Sequence, residues 1–125
     1  MLRLNSKKML MLDNGKPFSM SLTCRDSGGT TMSCSFYPPY LKDSSAPSSF
    51  YTNYSKIKFD VIIPNNDGRV LVTQGHSTTN LASGLVSGTH RIEYEPVSSL
   101  PIDYFQIVCS LGNNRTITIT NIILE

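Results

Sequence analysis

Between Ile57 and Ile63 every second residue is large and apolar: Ile57, Phe59, Val61 and Ile63 alternate with Lys58, Asp60 and Ile62. Successive side chains of an extended chain point to opposite faces, so this period of two describes a strand with one face buried. The pattern recurs along the chain. Phe18, Met20, Leu22 and Cys24 share one parity, as do Met32, Cys34 and Phe36, then His90, Ile92 and Tyr94. In 102–112, Phe105, Ile107, Cys109 and Leu111 are in phase, with Tyr104, Gln106 and Val108 opposite. No stretch of eleven or more residues holds a convincing helical stripe; the nearest, "NSKKMLMLD", reads as strand or irregular chain. A chain of short alternating runs can bury its apolar faces only by stacking sheets.

Turn formers punctuate these runs. "DNGKP" (13–17), "DSGG" (26–29), "PNNDG" (64–68), the Ser-Gly pairs at 83–84 and 87–88, and "GNN" (112–114) supply residues that tolerate positive φ. "RDSGGT" predicts a hairpin between 18–24 and 31–37, and "NNDG" predicts one between 55–64 and 68–75. The stretch 37–50 is rich in Pro and Ser and reads as a long surface connection. At the N-terminus 8–12 reads as a strand, and 1–7 could be an arm carrying Met1, Leu2 and Leu4. The chain of 125 residues is the size of one domain. The expected fold is all-β: a single antiparallel β-sandwich spanning 1–125, jelly-roll-like, with about seven or eight strands.

The closing run "RTITITNIILE" changes parity. Ile117 and Ile119 occupy one phase, Ile122 and Leu124 the other. A one-residue bulge near Asn121 would return both pairs to the same face. The competing reading is a strand covered on both sides at its end.

Charged residues are only 16% of the chain and the net charge is +2, well short of the dense Lys/Arg surface of a nucleic-acid binder. No apolar run approaches the roughly 20 residues of a membrane-spanning helix. The start "MLRLNSKKMLMLDNG" lacks the continuous apolar core of a secretory signal, so the expectation is synthesis in a host cytoplasm without export. The three cysteines, Cys24, Cys34 and Cys109, contain no Cys-x-x-Cys pair and are odd in number, which argues against zinc and against a complete disulfide framework. Cys24 and Cys34 could face each other across a hairpin; buried free thiols are the main reading and a disulfide the lesser one. The sequons at Asn53 and Asn114 read as chance without a secretory route.

"ITNIILE" also resembles the last strand of carbohydrate-binding-module jelly rolls of the galactose-binding-like type, through Ile119, Asn121, Ile122 and Leu124. "KIKFDVIIPNNDGRVLVTQG" looks like that family's central hairpin, "SGTHRIEYEP" like its glycine-led alternating strand, and "IDYFQIVCSLG" like its penultimate strand. The resemblance covers about residues 55–125. It implies a sugar-binding module, or one of the similar stand-alone domains of bacteriophage decoration, head-fibre and tail-associated proteins. A short chain with its own Met1, no linker and no export signal fits the virion role better. Structural calcium is common in the family, and "NNDG" could offer oxygens to it; otherwise no cofactor is expected.

Catalysis finds no motif. His76 reads as a solvated loop residue and His90 as a strand-face residue. Asp60, Glu93, Glu95 and Asp103 read as solvated sheet-face charges, and "GRVLVTQG" lacks the Gly-Lys-Ser/Thr ending of a phosphate loop. No Gly-x-Ser-x-Gly elbow occurs. The candidate contact residues are Tyr37, Tyr40, Tyr51 and Tyr54, around the Pro-rich connection, with Leu2 and Leu4 at the N-terminus. Tyr pairs an apolar body with a polar tip and suits exposed contacts. The absence of Trp weakens a sugar platform. The expected protein is therefore a non-enzymatic, multicopy virion component that contacts capsid or tail subunits, without nucleic acid or membrane insertion. The rival is a carbohydrate-binding or host-adhesion module that uses the Tyr cluster on a surface glycan.

Overall fold

The structure, a computed structural model, describes residues 3–12, 14–26, 31–36, 54–64, 66–97, 100, 102–110 and 116–125. The 37–50 connection, Tyr37, Tyr40, Tyr51, Met1, Leu2, Asn65, Leu111, the sequon residues Asn53 and Asn114, the "GNN" turn and most of the "DSGG" turn lie outside them.

The described chain is all β and antiparallel. Eight principal strands run as β3 (Ser19–Thr23), β5 (Thr31–Phe36), β6 (Ile57–Ile63), β7 (Gly68–Gln74), β8 (Ser77–Leu85), β9 (Gly88–Tyr94), β10 (Ile102–Ser110) and β11 (Thr116–Leu124). Three two-residue strands add to them: β1 (Arg3–Leu4), β2 (Leu10–Met11) and β4 (Arg25–Asp26). One sheet has the order β4-β5-β10-β7-β8 and the other β3-β11-β6-β9, with β1-β2 as a small separate pair. Among the principal strands these orders are those of a jelly roll, two interlocked Greek keys. The expected fold class holds, with the short strands raising the count slightly.

Each alternating face does what its spacing requires. Ile57, Phe59, Val61 and Ile63 from β6 meet Phe105, Ile107 and Cys109 from β10 in one buried core. Val70 and Val72 join from β7, and Ile92 from β9. Four rings bind the sheets together. Phe105 stacks on Phe36 within its own sheet at 5.0 Å and 12°. It meets Phe59 of the opposite sheet edge-on at 5.2 Å and 76°, and Tyr94 at 6.2 Å and 88°. Offset and edge-on arrangements are the favourable ones for such rings.

The parity switch in β11 is a bulge. Thr120 pairs with Asp60 and Ile123 with Lys58, so Asn121 and Ile122 together oppose one residue of β6. Asn121 takes φ +54°, the left-handed conformation that Asn tolerates better than most side chains. Ile117, Ile119, Ile122 and Leu124 are all buried as a result. The bulge also changes partners on the other edge. Thr116 to Thr120 pair with β3, whereas Ile123 bridges to Met9 and the Leu124 amide donates to the Lys8 carbonyl at 3.0 Å. Asn121→Val is expected to destabilise the fold by about 2 kcal/mol, because a β-branched residue is strained at this φ. Asn121→Gly should stay within about 1 kcal/mol of the parent. Urea unfolding of the two variants checks the contrast, and equal losses would contradict it.

Two predicted hairpins are corrected. β6 and β7 do not pair: β6 lies between β11 and β9, and β7 between β10 and β8. "NNDG" therefore carries the chain from one sheet to the other. Its Asp67 takes φ +60°. Asn66 accepts the Ser87 amide at 3.2 Å, tying this crossing to the neighbouring one from β8 to β9. Similarly, 18–24 does not pair with 31–36. β3 belongs to the other sheet, and the hairpin partner of β5 is the short β4, with Arg25 opposite Ser33 and Asp26 opposite Met32. A turn motif reports a local reversal. Whether the flanking strands bond or part is decided by where each finds its partner.

A two-residue hairpin joins β7 to β8 through Gly75 and His76. Both have positive φ, +58° and +67°, the two-residue geometry that matches strand twist. It places His76 in the turn, 95% exposed, with its amide donating to Asp103 at 3.0 Å. β8 has no apolar alternation to announce it, because it is an exposed edge strand of mostly Ser, Thr and Asn.

Candidate functional site

Gln74 ends β7 in phase with Val70 and Val72, so its side chain enters the core, and it is only 5% exposed. A buried amide must find partners for its oxygen and its nitrogen. Gln74 finds four. Its Nε2 donates to the Val97 carbonyl at 2.7 Å and the Leu100 carbonyl at 2.8 Å. Its Oε1 accepts from the Val97 amide at 3.1 Å and from the Tyr94 hydroxyl. One side chain thus ties the end of β7 to β9 in the opposite sheet and to the connection that follows β9.

That connection presents two apolar side chains to solvent. Val97 is 52% exposed and Leu100 41%. Leu100 lies over Gly75, whose φ of +58° suits glycine in the turn. Their backbone is fixed from beneath.

Register places further candidates at the same end of the sandwich. Ile57, the first residue of β6, pairs with Tyr94 and with Leu124. Tyr54 precedes β6, and the Ser55 amide donates to the Glu125 carbonyl at 2.7 Å. Tyr54 is half-buried and packs against the core, and burial raises its hydroxyl pKa. Leu4 is likewise half-buried against the core, in the β1-β2 pair that reaches β11 through Met9. Both therefore serve packing, with part of each still open to solvent. Sequence reasoning did not single out Val97, Leu100 or Gln74. The available signal was a Gln at an inward position of a strand.

The outer face of the β3-β11-β6-β9 sheet carries a ladder of charges. Asp60 accepts from Arg91 Nε at 2.5 Å and from Asn121 Nδ2 at 2.9 Å, and its side chain is 14% exposed, so it is not the solvated charge expected from sequence. Lys58 reaches Glu125 at 2.9 Å and Glu93 at 4.0 Å, and Lys56 lies 3.9 Å from Glu93 and 4.0 Å from Glu95. Burial works against the Asp60 charge, but the hydrogen bonds from Arg91 and Asn121 outweigh it and hold the carboxyl below the usual range. A carboxylate with a depressed native pKa contributes stability above the unfolded value, about pH 4, and that contribution is lost as pH falls through the native value. Asp60→Asn should therefore be less stable than the parent at neutral pH. The gap should narrow when denaturation is repeated on the acid side of pH 4, and a gap independent of pH would refute the assignment.

His90 is half-buried on the inner face, with Nε2 donating to the Val86 carbonyl at 2.6 Å. Asn66, the described Asn of the "NNDG" turn, uses its oxygen on Ser87. Among the described residues no group of three His, Cys, Asp or Glu side chains is arranged to hold a metal ion.

Fold and site together define a jelly-roll sandwich that exposes Val97 and Leu100 at one end, on backbone held by Gln74. No protein-family model, curated protein or solved structure matches the chain.

Proposed function

We propose that the chain is a non-enzymatic structural protein of a bacteriophage particle, of the capsid-decoration or tail-associated kind, made in the host cytoplasm and carried in several copies. The observation that supports this reading is at one end of the sandwich: Val97 and Leu100 stand exposed on backbone held by Gln74. Exposed apolar side chains within a polar surround are the pattern of a docking patch. The partner is a capsid or tail subunit, and repeated copies on a symmetric lattice add avidity to a modest single contact.

The test is size-exclusion chromatography with light scattering, followed by binding to purified particles stripped of this protein. A stable oligomer or saturable particle binding is expected. Val97→Asp with Leu100→Asp should weaken it by tenfold or more, since each tenfold is about 1.4 kcal/mol. A monomer that ignores particles but gives competable hits on a glycan array would replace this reading with a carbohydrate-binding module.

A further inference from the structure

The chain passes from one sheet to the other through a single residue. β3 ends at Thr23, β4 begins at Arg25, and Cys24 between them is fully buried. Arg25 pairs with Ser33, so one step back along the antiparallel register sets Cys24 against Cys34. The two thiols are close enough to shift each other's ionisation, and both are free. Directly opposed residues of an antiparallel pair have Cα atoms about 4.5–5.5 Å apart, inside the range a disulfide spans. Cys109, on β10 beside β5, is buried near both.

We propose that Cys24 and Cys34 form a dithiol site that takes a two-electron oxidant of the low-molecular-weight disulfide class and closes to a cross-strand disulfide. Cys34 is the member with solvent exposure and receives the oxidant. Its thiolate attacks one sulfur of the small disulfide, forming a mixed disulfide and releasing one small thiolate. Cys24 then gives its proton to solvent and attacks the Cys34 sulfur. The second small thiolate leaves, and the Cys24–Cys34 bond remains. One small disulfide is reduced to two thiols while two protein thiols are oxidised.

Local architecture favours the second step. β4 has only two residues and lies at the sheet edge, so this corner can open without unfolding the sandwich. The neighbouring Cys34 eases ionisation of Cys24. That same closeness, with burial and the neighbouring thiols, raises the Cys34 pKa, so the first step should accelerate as pH rises above neutral. Cys109 is fully buried on β10, between β5 and β7, with no opening edge beside it, and should lag behind the pair. The product would staple the point where the chain changes sheets.

The experiment treats the reduced full chain with oxidised glutathione under native conditions and follows intact mass and non-reduced peptide maps. The expected product has lost two hydrogens and links the Cys24 and Cys34 peptides. It should form faster at higher pH, and its Tm should exceed that of the reduced chain by about 10 °C. Cys109→Ala should form the same link, and Cys24→Ala should stop at glutathionylated Cys34. Stable mixed disulfides in the parent, a link to Cys109, or closure only in denaturant would each overturn the proposal. The parent's peptide map alone decides between these, so the result does not depend on the variants folding.

Discussion

Replacing Phe105 by Ala is expected to cost about 4 kcal/mol, out of the 5–15 kcal/mol that holds a domain of this kind together. Phe105 is buried at the crossing of the two sheets, stacked on Phe36 and edge-on to both Phe59 and Tyr94. Truncation removes the ring's own transfer free energy and leaves a cavity between sheets whose strands are fixed by their ladders. The walls therefore cannot collapse to refill it. Phe105→Leu keeps much of the volume and should cost about 1.5 kcal/mol. Thr118→Ala, on the outer face of β11, should change stability by less than about 0.5 kcal/mol. Urea midpoints at constant m separate the three. A loss below 1 kcal/mol for Phe105→Ala would mean that the ring cluster is not the main link between the sheets.

The second large effect is expected at Gln74. Gln74→Met keeps length and removes all four hydrogen bonds. The Tyr94 hydroxyl and the Val97 amide lose a partner, as do the Val97 and Leu100 carbonyls. Stranding buried polar groups costs about 1–3 kcal/mol each, less where water reaches them. A loss of about 3 kcal/mol is the expected sum, because the connection can peel outward to solvent. Hydrogen exchange should show this directly, with faster exchange of the Val97 amide while β6 and β10 amides stay protected relative to global unfolding. If the hold on this backbone drives association, Gln74→Met should weaken it even with Val97 and Leu100 intact. Full retention of association by a folded Gln74→Met protein would sever the link between this amide and the contact.

Strands whose one face is wholly buried could be read residue by residue. β6 and β10 show this, as does β11, where the parity switch from Ile119 to Ile122 located a bulge that the register contains. Burial on one face writes itself into composition at every second position, and a bulge must then appear as a phase error. β8 could not be read, because an edge strand of Ser, Thr and Asn has little burial to record. The "NNDG" reversal misled for a related reason. A tight turn looks alike whether its flanks pair or part, and β6 finds both of its partners, β9 and β11, further along the chain. The end-face site was hidden too. Val97 and Leu100 lie in an irregular stretch, and nothing local says that Gln74 reaches their backbone.

By itself, then, the sequence determined the class: short amphipathic strands, and a core face for each strand that alternates. These follow from local alternation and composition, which each segment carries alone. Only the tertiary structure decided which strands share a sheet, that Cys24 sits at a sheet crossing, and that Gln74 holds the backbone of Val97 and Leu100. Those features depend on pairings between segments distant in the chain, as between Thr23 and Thr116. Their energy exists only once both segments are in place.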